Sequence, residues 1–385
     1  MQYLDPLYGH LEITDKQYKL FQTKALTRVR DISLSAVPPL ATPIGMIGSR
    51  FEHSVGVAHL SSLLTAQDQF KEMSTNLYLA SLFHDVGSPP FSHITEKFLE
   101  EVTGKNHEEF ANTFLLSEET TQAIKDFGGD TEIVLQLITG NQKPWSDLIN
   151  GTIDLDNLDN SLRWGSAIGL FHTKFYEPEE LIKAFVMQDK SLALRLEFHP
   201  QIQKWELCRR LVYDVVYSDL NLTPETMLFR ALQFAYEHGD LDETFFTLTD
   251  SQALYVLEHR ANPMTQKLMS WMRHWQFYVS VFEMEETGTV SETFKTFCLS
   301  WRERQKIADI VADSLGISKE YITVYAGKDR GFKKIHLPFI GKGVAEEHQP
   351  LQKLYWRIKV YIHPQYHDLK NEVEDVVNSI INENI

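Results

Sequence analysis

From residue 51 to about residue 185, apolar residues recur at the three- and four-residue spacing of amphipathic helices. His53 is followed by apolar residues one, two and three helical turns later, so it stands at the head of a stripe that faces inward. A second helical stretch over residues 77–83 leads directly into His84 and Asp85. The pattern therefore predicts a helical core in which polar side chains stand near the ends of buried helices.

The rest of the chain divides into further helices and one region of strands. Helical spacing continues over residues 205–217, 224–238, 251–257, 264–282 and 290–315. Apolar and polar side chains alternate over 354–362, as in a half-buried strand, and shorter runs at 321–325 and 335–340 precede a closing helix over 372–381. We expect a mostly α protein with a helical core at residues 1–220, a helical extension at 221–317 and a small α+β lobe at 318–385.

The composition of the 385 residues fits a globular protein, because 43% hydrophobic content is enough to bury a sizeable core. The chain has no long apolar run, and its first residues lack the basic and apolar pattern of a secretory signal. A formal charge of −16 disfavours strong nucleic-acid binding, since affinity for the phosphate backbone comes from Lys and Arg clusters. These features predict a soluble cytoplasmic protein without a membrane or nucleic-acid partner.

The cysteines point away from disulfide and cysteine-metal chemistry. Cys208 and Cys298 are the two cysteines of the chain, and they lie far apart in apolar helical stretches. They support neither a disulfide framework nor a zinc knuckle. A metal site in this chain would have to use histidine and carboxylate ligands.

Three separated segments carry such residues: His53 in SRFEHSVGV, the pair His84 and Asp85 in LFHDVGSPPFSH, and the acidic run IDLDNLDN that contains Asp156. Imidazole nitrogens and carboxylate oxygens from several segments are what a divalent cation needs. Each segment alone has an ordinary explanation, namely a buried core histidine, a chance dipeptide or a solvated helix start. The order of a His, a His-Asp pair about 30 residues later and an Asp about 70 residues further on is more specific, and it favours a metal site.

The acidic run also has a helical face. Asp156, Asn160 and Arg163 share one side of the predicted helix, while leucines occupy the opposite side. We therefore expect the leucines to pack and Asp156 to face a polar interior.

The order of these motifs resembles the HD superfamily, and their flanking residues resemble its deoxynucleoside triphosphate triphosphohydrolases, including the animal sterile-alpha-motif/HD enzyme. The segments DPLYGHLEI, RFEHSVGV, FHDVGSPPFSH, NHEEFA and GTIDLDNLDN occur in that family's order and at close to its spacing. The similarity covers roughly residues 3–220, and the C-terminal lobe is matched only loosely.

The resemblance implies a set of metal-binding and catalytic residues. The implied metal ligands are His53, His84, Asp85 and Asp156, with Asp154 and Asp159 as supports. The implied catalytic residues beside the metal are His93, Glu96, His107 and Glu108. Phosphoryl hydrolysis needs an activated water and an acid that protonates the leaving oxygen, and histidine can serve in either role. The cofactor would be a divalent metal ion, with Mg, Mn, Fe, Co, Ni and Zn left open.

The residues expected to bind substrate include departures from the family. They are Arg50, Asn157, Asn160, Arg209 and Tyr217. The two arginines are candidate phosphate clamps, because guanidinium pairs bidentately with phosphoryl oxygens, although a surface ion pair explains Arg209 equally well. Tyr217 matches the aromatic residue that lies under the sugar, whereas Asn157 and Asn160 replace a basic and an aromatic residue of the family.

Two further departures lie outside that set. Ser88 stands where the family carries a further histidine. Ser35 and Ala36 stand where residues that contact the sugar are expected. The metal-binding residues are thus expected to match those of the family, whereas the residues that recognise the substrate are expected to differ.

The leading hypothesis is hydrolysis of a nucleotide phosphoester or phosphoanhydride, foremost a nucleoside or deoxynucleoside triphosphate. A nucleotidase or phosphodiesterase acting on another nucleotide, and a degenerate HD domain that binds a nucleotide without turnover, stay open. A di-iron oxygenase is chemically possible, because His and Asp ligands also suit iron. By the resemblance we expect a homo-oligomer, a dimer or larger.

Overall fold

The computed structural model describes residues 1–45, 47–288, 290–331, 333–341 and 355–384. Its strands are β1 (Gln2–Asp5), β2 (Gly9–Glu12), β3 (Phe185–Gln188), β4 (Ser191–Arg195), β5 (Val279–Thr287), β6 (Ile322–Lys328), β7 (Phe339–Ile340) and β8 (Tyr355–Ile362). No helix in the described ranges is long and apolar enough to cross a membrane.

Helices make up most of the remaining described chain. The α-helices are α1 (Asp15–Phe21), α2 (Lys24–Arg28), α3 (Arg50–Thr65), α4 (Ser74–Phe83), α5 (Glu96–Thr103), α6 (His107–Phe110), α7 (Asn112–Leu115), α8 (Glu118–Phe127), α9 (Thr131–Ile138), α10 (Asp147–Asn150), α11 (Leu155–Ala167), α12 (Pro178–Leu181), α13 (His199–Val216), α14 (Asp219–Glu237), α15 (Asp250–His259), α16 (Pro263–Arg273), α17 (Glu292–Leu299), α18 (Trp301–Leu315) and α19 (Lys370–Asn384). Short 3-10 turns occupy Val29–Asp31, Pro39–Ala41, Asp68–Met73, Ser92–Ile94, Ile182–Ala184, Leu196–Phe198, Phe245–Thr247, Lys319–Tyr321 and Pro364–Leu369. The predicted class, mostly α with a mixed C-terminal lobe, is confirmed.

Helices α3, α4 and α11 form the part of the core that carries the site. Helix α3 begins at Arg50 because the Ser49 hydroxyl accepts the Glu52 N–H while the Glu52 carboxylate accepts the Ser49 N–H. Helix α4 is apolar and buried from Leu77 onward, and His84 lies at its C-terminal end. The Asp154 carboxylate caps the start of α11 by accepting the Asn157 N–H. These three helix ends bring the predicted ligand segments together.

The α15 region is fixed to the core by a buried arginine. The Arg28 guanidinium donates hydrogen bonds to the carbonyl oxygens of residues 246–248 at 2.8–3.0 Å and to that of Val86 at 3.2 Å. Burying a guanidinium is costly unless its donors are used, and here all three of its nitrogens donate. The contact therefore ties the turn before α15 to the segment that follows Asp85.

The C-terminal sheet has the antiparallel order β5-β8-β6. The strand predicted at 354–362 is confirmed over Tyr355–Ile362, while residue 354 lies outside the described residues. The helix predicted over 264–282 was wrong in its second half, since α16 ends at Arg273 and β5 begins at Val279. Its apolar residues fit helical and strand spacing alike over so short a length, and pairing with β8 decides between the two.

The predicted run at 335–340 joins a different sheet. Strand β7 pairs in parallel with β4, so the chain returns from the C-terminal sheet to the helical core. Ile335 and Phe339 are buried with the side chains of that core. The return brings Arg330 to Arg209 of α13 and His336 to Thr152, just before α11.

Candidate metal centre and adjoining histidines

The predicted metal ligands meet between α3, α4 and α11. Ligand atoms of His53, His84 and Asp156 lie within 4.8 Å of one another. His53 Nε2 lies 2.9 Å from Asp156 Oδ1. Asp85 stands at the edge of this group, with Oδ2 at 3.5 Å from His84 Nε2 and 3.9 Å from His53 Nε2. The four side chains thus converge on one place.

Two buried atoms of this group lack hydrogen-bond partners within the described part of the chain, His84 Nε2 and Asp85 Oδ2. The Nδ1 of His84 lies 2.8 Å from the Ser81 carbonyl oxygen, to which it can only donate, so Nε2 is left with its lone pair. Buried polar atoms without partners are costly, and a bound cation would satisfy both of these acceptors. The residues present therefore fit a divalent metal ion.

The outer side of the cluster is built from charged groups that orient His53. Its Nδ1 lies 2.7 Å from Asp159 Oδ1, and Asp159 is also bound by Arg163 at 2.8 Å. Carboxylates behind a metal-ligating histidine fix the ring and its tautomer. Burial alone would lower the pKa of His53, but the hydrogen bonds to Asp156 and Asp159 raise it to about 10. Metal binding must then displace this proton.

Gly56 is needed where α11 crosses α3, because a Cβ at this position would collide with the Asp159 carboxylate and the Arg163 guanidinium. We expect Gly56→Ala to lower the free energy of unfolding by about 1–3 kcal/mol, since overpacking outweighs the roughly 1 kcal/mol that alanine gains in a helix. It should also weaken metal binding, because Asp159 orients His53. Urea unfolding and calorimetric metal titration measure the two effects.

The control for this substitution is Gly45→Ala, whose added methyl group would meet no atom within 4 Å. It should change neither quantity. Unchanged stability and metal affinity in Gly56→Ala would contradict close packing of α11 against α3 at this position.

The side chains of His53, His84, Asp85 and Asp156 are together named the metal cluster. Beside them, the Glu96 carboxylate binds two imidazoles. Glu96 Oε1 lies 2.8 Å from His93 Nδ1 and 3.0 Å from His107 Nδ1. Burial would raise the pKa of Glu96, but the two histidines hold it well below its usual range. Burial would lower the pKa of His107, but the hydrogen bond and charge of Glu96 raise it. The His93 side chain is 46% exposed and that of His107 25%, so solvent reaches both rings.

Arg50 connects this histidine group to the metal cluster. Its Nη1 lies 2.7 Å from Asp85 Oδ1, its Nη2 lies 3.4 Å from His93 Nε2, and its Nε donates to the Ser92 hydroxyl at 2.9 Å. Arg50 is buried, with 4% of its surface exposed, so these contacts lie within the protein. The cluster and the histidine group form one hydrogen-bonded network.

Asp250 shapes the loop that carries His93, and the sequence did not single it out. Phe91 and Ser92 adopt left-handed backbone angles, φ 62° and 53°, which are strained for residues with a side chain. The buried Asp250 carboxylate accepts the N–H of Phe91 at 2.8 Å and that of Ser33 at 2.9 Å. Its only local signal is a capping box at the start of α15, which says nothing of a contact 159 residues away.

Three of the predicted substrate residues, Asn157, Arg209 and Tyr217, lie near the segment that follows β6. The sequence did not predict that this segment comes to them. Arg209 donates to Asn157 Oδ1 at 2.9 Å and to the carbonyl oxygen of Arg330 at 2.6 Å. The Tyr217 hydroxyl donates to the Lys328 carbonyl oxygen at 3.1 Å and accepts the Arg330 N–H at 2.6 Å. Tyr217 is only 7% exposed. The segment after β6 thus lies over the side chains of Arg209 and Tyr217.

The remaining predicted residues make fewer contacts. Glu108 and Asn160 are half-buried, and within the described ranges neither side chain makes a hydrogen bond or ion pair. The Ser88 hydroxyl donates to Asp85 Oδ1 at 3.4 Å. Ser35 is buried, and Ala36 packs in the same apolar cluster as Tyr217.

Relatives of the chain match different shares of its length. A protein of Methanocaldococcus jannaschii is 24% identical over 98% of this chain and 83% of its own. A protein of Mycoplasma pneumoniae is 27% identical over 56% of this chain and 55% of its own length. The deoxynucleoside triphosphate triphosphohydrolase SAMHD1 homolog of Dictyostelium discoideum is 26% identical over 40% of this chain and 34% of its own. The chain thus spans about half of the length of the Mycoplasma protein and about a third of the length of the Dictyostelium protein.

Solved structures share the fold across nearly the whole chain. A hypothetical protein from Aquifex aeolicus superposes with a TM-score of 0.75 at 17% identity, over 97% of this chain and 99% of its own. A phosphohydrolase from Bacteroides thetaiotaomicron superposes with a TM-score of 0.69 at 19% identity, over 94% and 99%. The HD domain model matches residues 50–164, the range that holds the metal cluster and the histidine group. Residues 50–164 of the chain are therefore similar to the HD domain.

Proposed function

We propose that this protein is a metal-dependent phosphohydrolase that removes tripolyphosphate from nucleoside and deoxynucleoside triphosphates. The observation that carries the proposal is the continuous network in which Arg50 joins Asp85 of the metal cluster to the pair of histidines held by Glu96. A phosphoryl group bound to the metal would lie beside groups that can donate and accept protons. The match to the Dictyostelium triphosphohydrolase supports the same substrate class.

The residues of this network would have different roles in the reaction. A divalent ion held by His53, His84, Asp85 and Asp156 would supply a Lewis acid and a water of lowered pKa. Burial would lower the pKa of His107, but Glu96 raises it, so the protonated form persists to higher pH than in a free imidazole and suits protonation of the leaving oxygen. His93 can donate Nδ1–H to Glu96 and accept from Arg50 through Nε2, so it suits orientation of the substrate or water.

A turnover screen tests this function directly. Purified protein would be assayed with nucleoside and deoxynucleoside triphosphates, monophosphates and cyclic nucleotides, each with Mg, Mn, Co and Fe, and the released phosphate species would be identified. We expect nucleoside and tripolyphosphate. Release from monophosphates or cyclic nucleotides alone would favour a nucleotidase or a phosphodiesterase.

The same screen tests whether the protein is a nucleotide sensor or an iron oxygenase. Nucleotide binding without any product would favour the sensor that does not turn over, although the histidines held by Glu96 argue for chemistry. Aerobic and anaerobic assays with metal analysis would separate an iron oxygenase from a hydrolase, because only the oxygenase requires dioxygen.

A separate prediction concerns the sugar of the substrate. We expect the enzyme to discriminate only weakly against ribose in favour of deoxyribose. Rejection of one added hydroxyl requires close packing at the 2′ position, and Ser35 and Ala36 are smaller than the residues the family resemblance leads one to expect there. The kcat/KM values for ATP against dATP, and for GTP against dGTP, measure this preference. A preference for the deoxy form above roughly 10³-fold, about 4 kcal/mol, would show that another part of the chain closes the pocket.

A further inference from the structure

The segment between β6 and β7 crosses the site with anchors on both sides. On one side, the backbone of Arg330 binds Arg209 and Tyr217. On the other, Ile335 is buried in the helical core, and the His336 N–H donates to the Thr152 hydroxyl at 3.1 Å. Thr152 precedes by two residues the Asp154 that caps α11. The described residues between the two anchors, Gly331, Lys333 and Lys334, therefore lie near the acidic start of α11.

Lys333 is the cation that this arrangement places near the metal cluster. It is half-buried, and within the described ranges its ammonium has neither a hydrogen bond nor an ion-pair partner. The charge of Lys333 interacts with the Asp154 carboxylate. The ammonium group therefore lies close enough to act on the carboxylate two residues before Asp156.

Two other cations near the cluster, among the residues that the structure describes, are already ion-paired. Arg50 is paired with Asp85, and Arg163 is paired with Asp159 and Asp5. The position directly after Asp156 is a neutral asparagine.

Arg330, on the crossing segment itself, acts on a different group. Its charge interacts with Tyr217, Tyr213, Tyr325 and Glu225. Its guanidinium therefore lies beside these three tyrosines rather than beside the metal-binding residues. A substrate with several negative charges at the start of α11 would meet the Lys333 ammonium, which has no ion-pair partner among the described residues.

We propose that Lys333, carried into the site by the segment between the C-terminal sheet and the core, binds a phosphate group of the substrate. The proposal rests on the proposed function and deepens it, because it assigns the substrate a polyphosphate whose outer groups extend beyond the metal toward this segment. It makes the C-terminal part of the chain a contributor to the HD-domain site. A purely structural role, in which Lys333 only offsets the charge of Asp154, predicts a loss of stability without a specific loss of anion binding.

Binding of inorganic tripolyphosphate to the metal-loaded protein tests the proposal. We expect Lys333→Gln to raise the Kd roughly tenfold, on the scale of one hydrogen bond to a charged group, with metal content and thermal midpoint unchanged. Lys333→Arg should restore the Kd to within about threefold, since it keeps the charge. Lys334→Gln, at the exposed neighbour, removes the same charge and should leave the Kd within about twofold of wild type.

The outcomes separate the role of Lys333 from the proposed function. Equal tripolyphosphate affinity in wild type and Lys333→Gln, or equal weakening in both glutamine variants, would overturn the role of Lys333 while the turnover screen still stands. A wild-type protein that binds no tripolyphosphate and hydrolyses no nucleotide would overturn both. In turnover assays with triphosphates, the proposal is supported if Lys333→Gln raises KM more than it lowers kcat.

Discussion

Replacement of Asp85 by asparagine is expected to remove bound metal and turnover together. Asparagine keeps an oxygen that can accept from Arg50, but it carries no charge and is a poor ligand for a hard cation. One lost ligand of four leaves an open and weakly held ion. We expect kcat/KM to fall by at least roughly 10³-fold, about 4 kcal/mol, and metal content after dialysis to fall with it.

This substitution also decides what Asp85 does. His53, His84 and Asp156 form the close group of ligand atoms, and Asp85 stands at its edge. One Asp85 oxygen binds Arg50, and the other lies 3.5 Å from His84 Nε2 without a hydrogen-bond partner in the described chain. Full metal content in Asp85→Asn would limit Asp85 to holding Arg50. Asp126→Asn, at an exposed carboxylate, is the matched control and should leave metal content and rate unchanged.

Asp85→Ala is the less clear experiment, although it should lose metal as well. Removal of the whole side chain would leave the Arg50 guanidinium buried without its carboxylate, and breaking a buried pair typically costs about 3–5 kcal/mol. Loss of metal from that variant could then follow from unfolding. The thermal midpoint of Asp85→Asn, which should stay close to wild type, separates the two causes.

The cluster of His53, His84 and Asp156 could be predicted from the sequence because its three segments occur in a specific order and lie at helix ends. His53, His84 and Asp156 each stand in a segment with clear helical periodicity, and the end of a buried helix is where such a side chain meets its neighbours. The capping residues that fix these ends, Ser49 with Glu52 and Asp154, are also readable in sequence.

What the sequence could not supply are contacts between distant segments. Nothing near Asp250 indicates that it holds Phe91, and nothing near Arg330 indicates that its backbone binds Arg209. The first four residues of β5, 279–282, were assigned to a helix for the same reason, because they pair with residues of β8 roughly 80 positions further along the chain. Each of these errors or omissions concerns a contact between segments that lie far apart in the sequence.

His107→Gln is expected to lower kcat by roughly 10²-fold or more, about 2.7 kcal/mol, while metal stays bound. Glutamine can still donate an N–H to Glu96, so the substitution removes the proton that His107 can transfer but keeps the hydrogen bond that holds the loop. His93→Gln should have an effect of similar size on kcat, since both rings share Glu96. His10→Gln, at an exposed histidine, is the control and should match wild type.

The pH dependence shows whether His107 acts as an acid rather than as a scaffold. Glu96 raises the pKa of His107 above its usual 6.5, so the protonated, active form persists to higher pH than in a free imidazole. Activity should be present below that raised pKa and decline as the pH rises through it, and His107→Gln should lose this alkaline limb along with its rate. A variant that keeps the limb, or near-normal kcat in both His93→Gln and His107→Gln, would leave the two histidines with a role in holding the loop rather than in proton transfer.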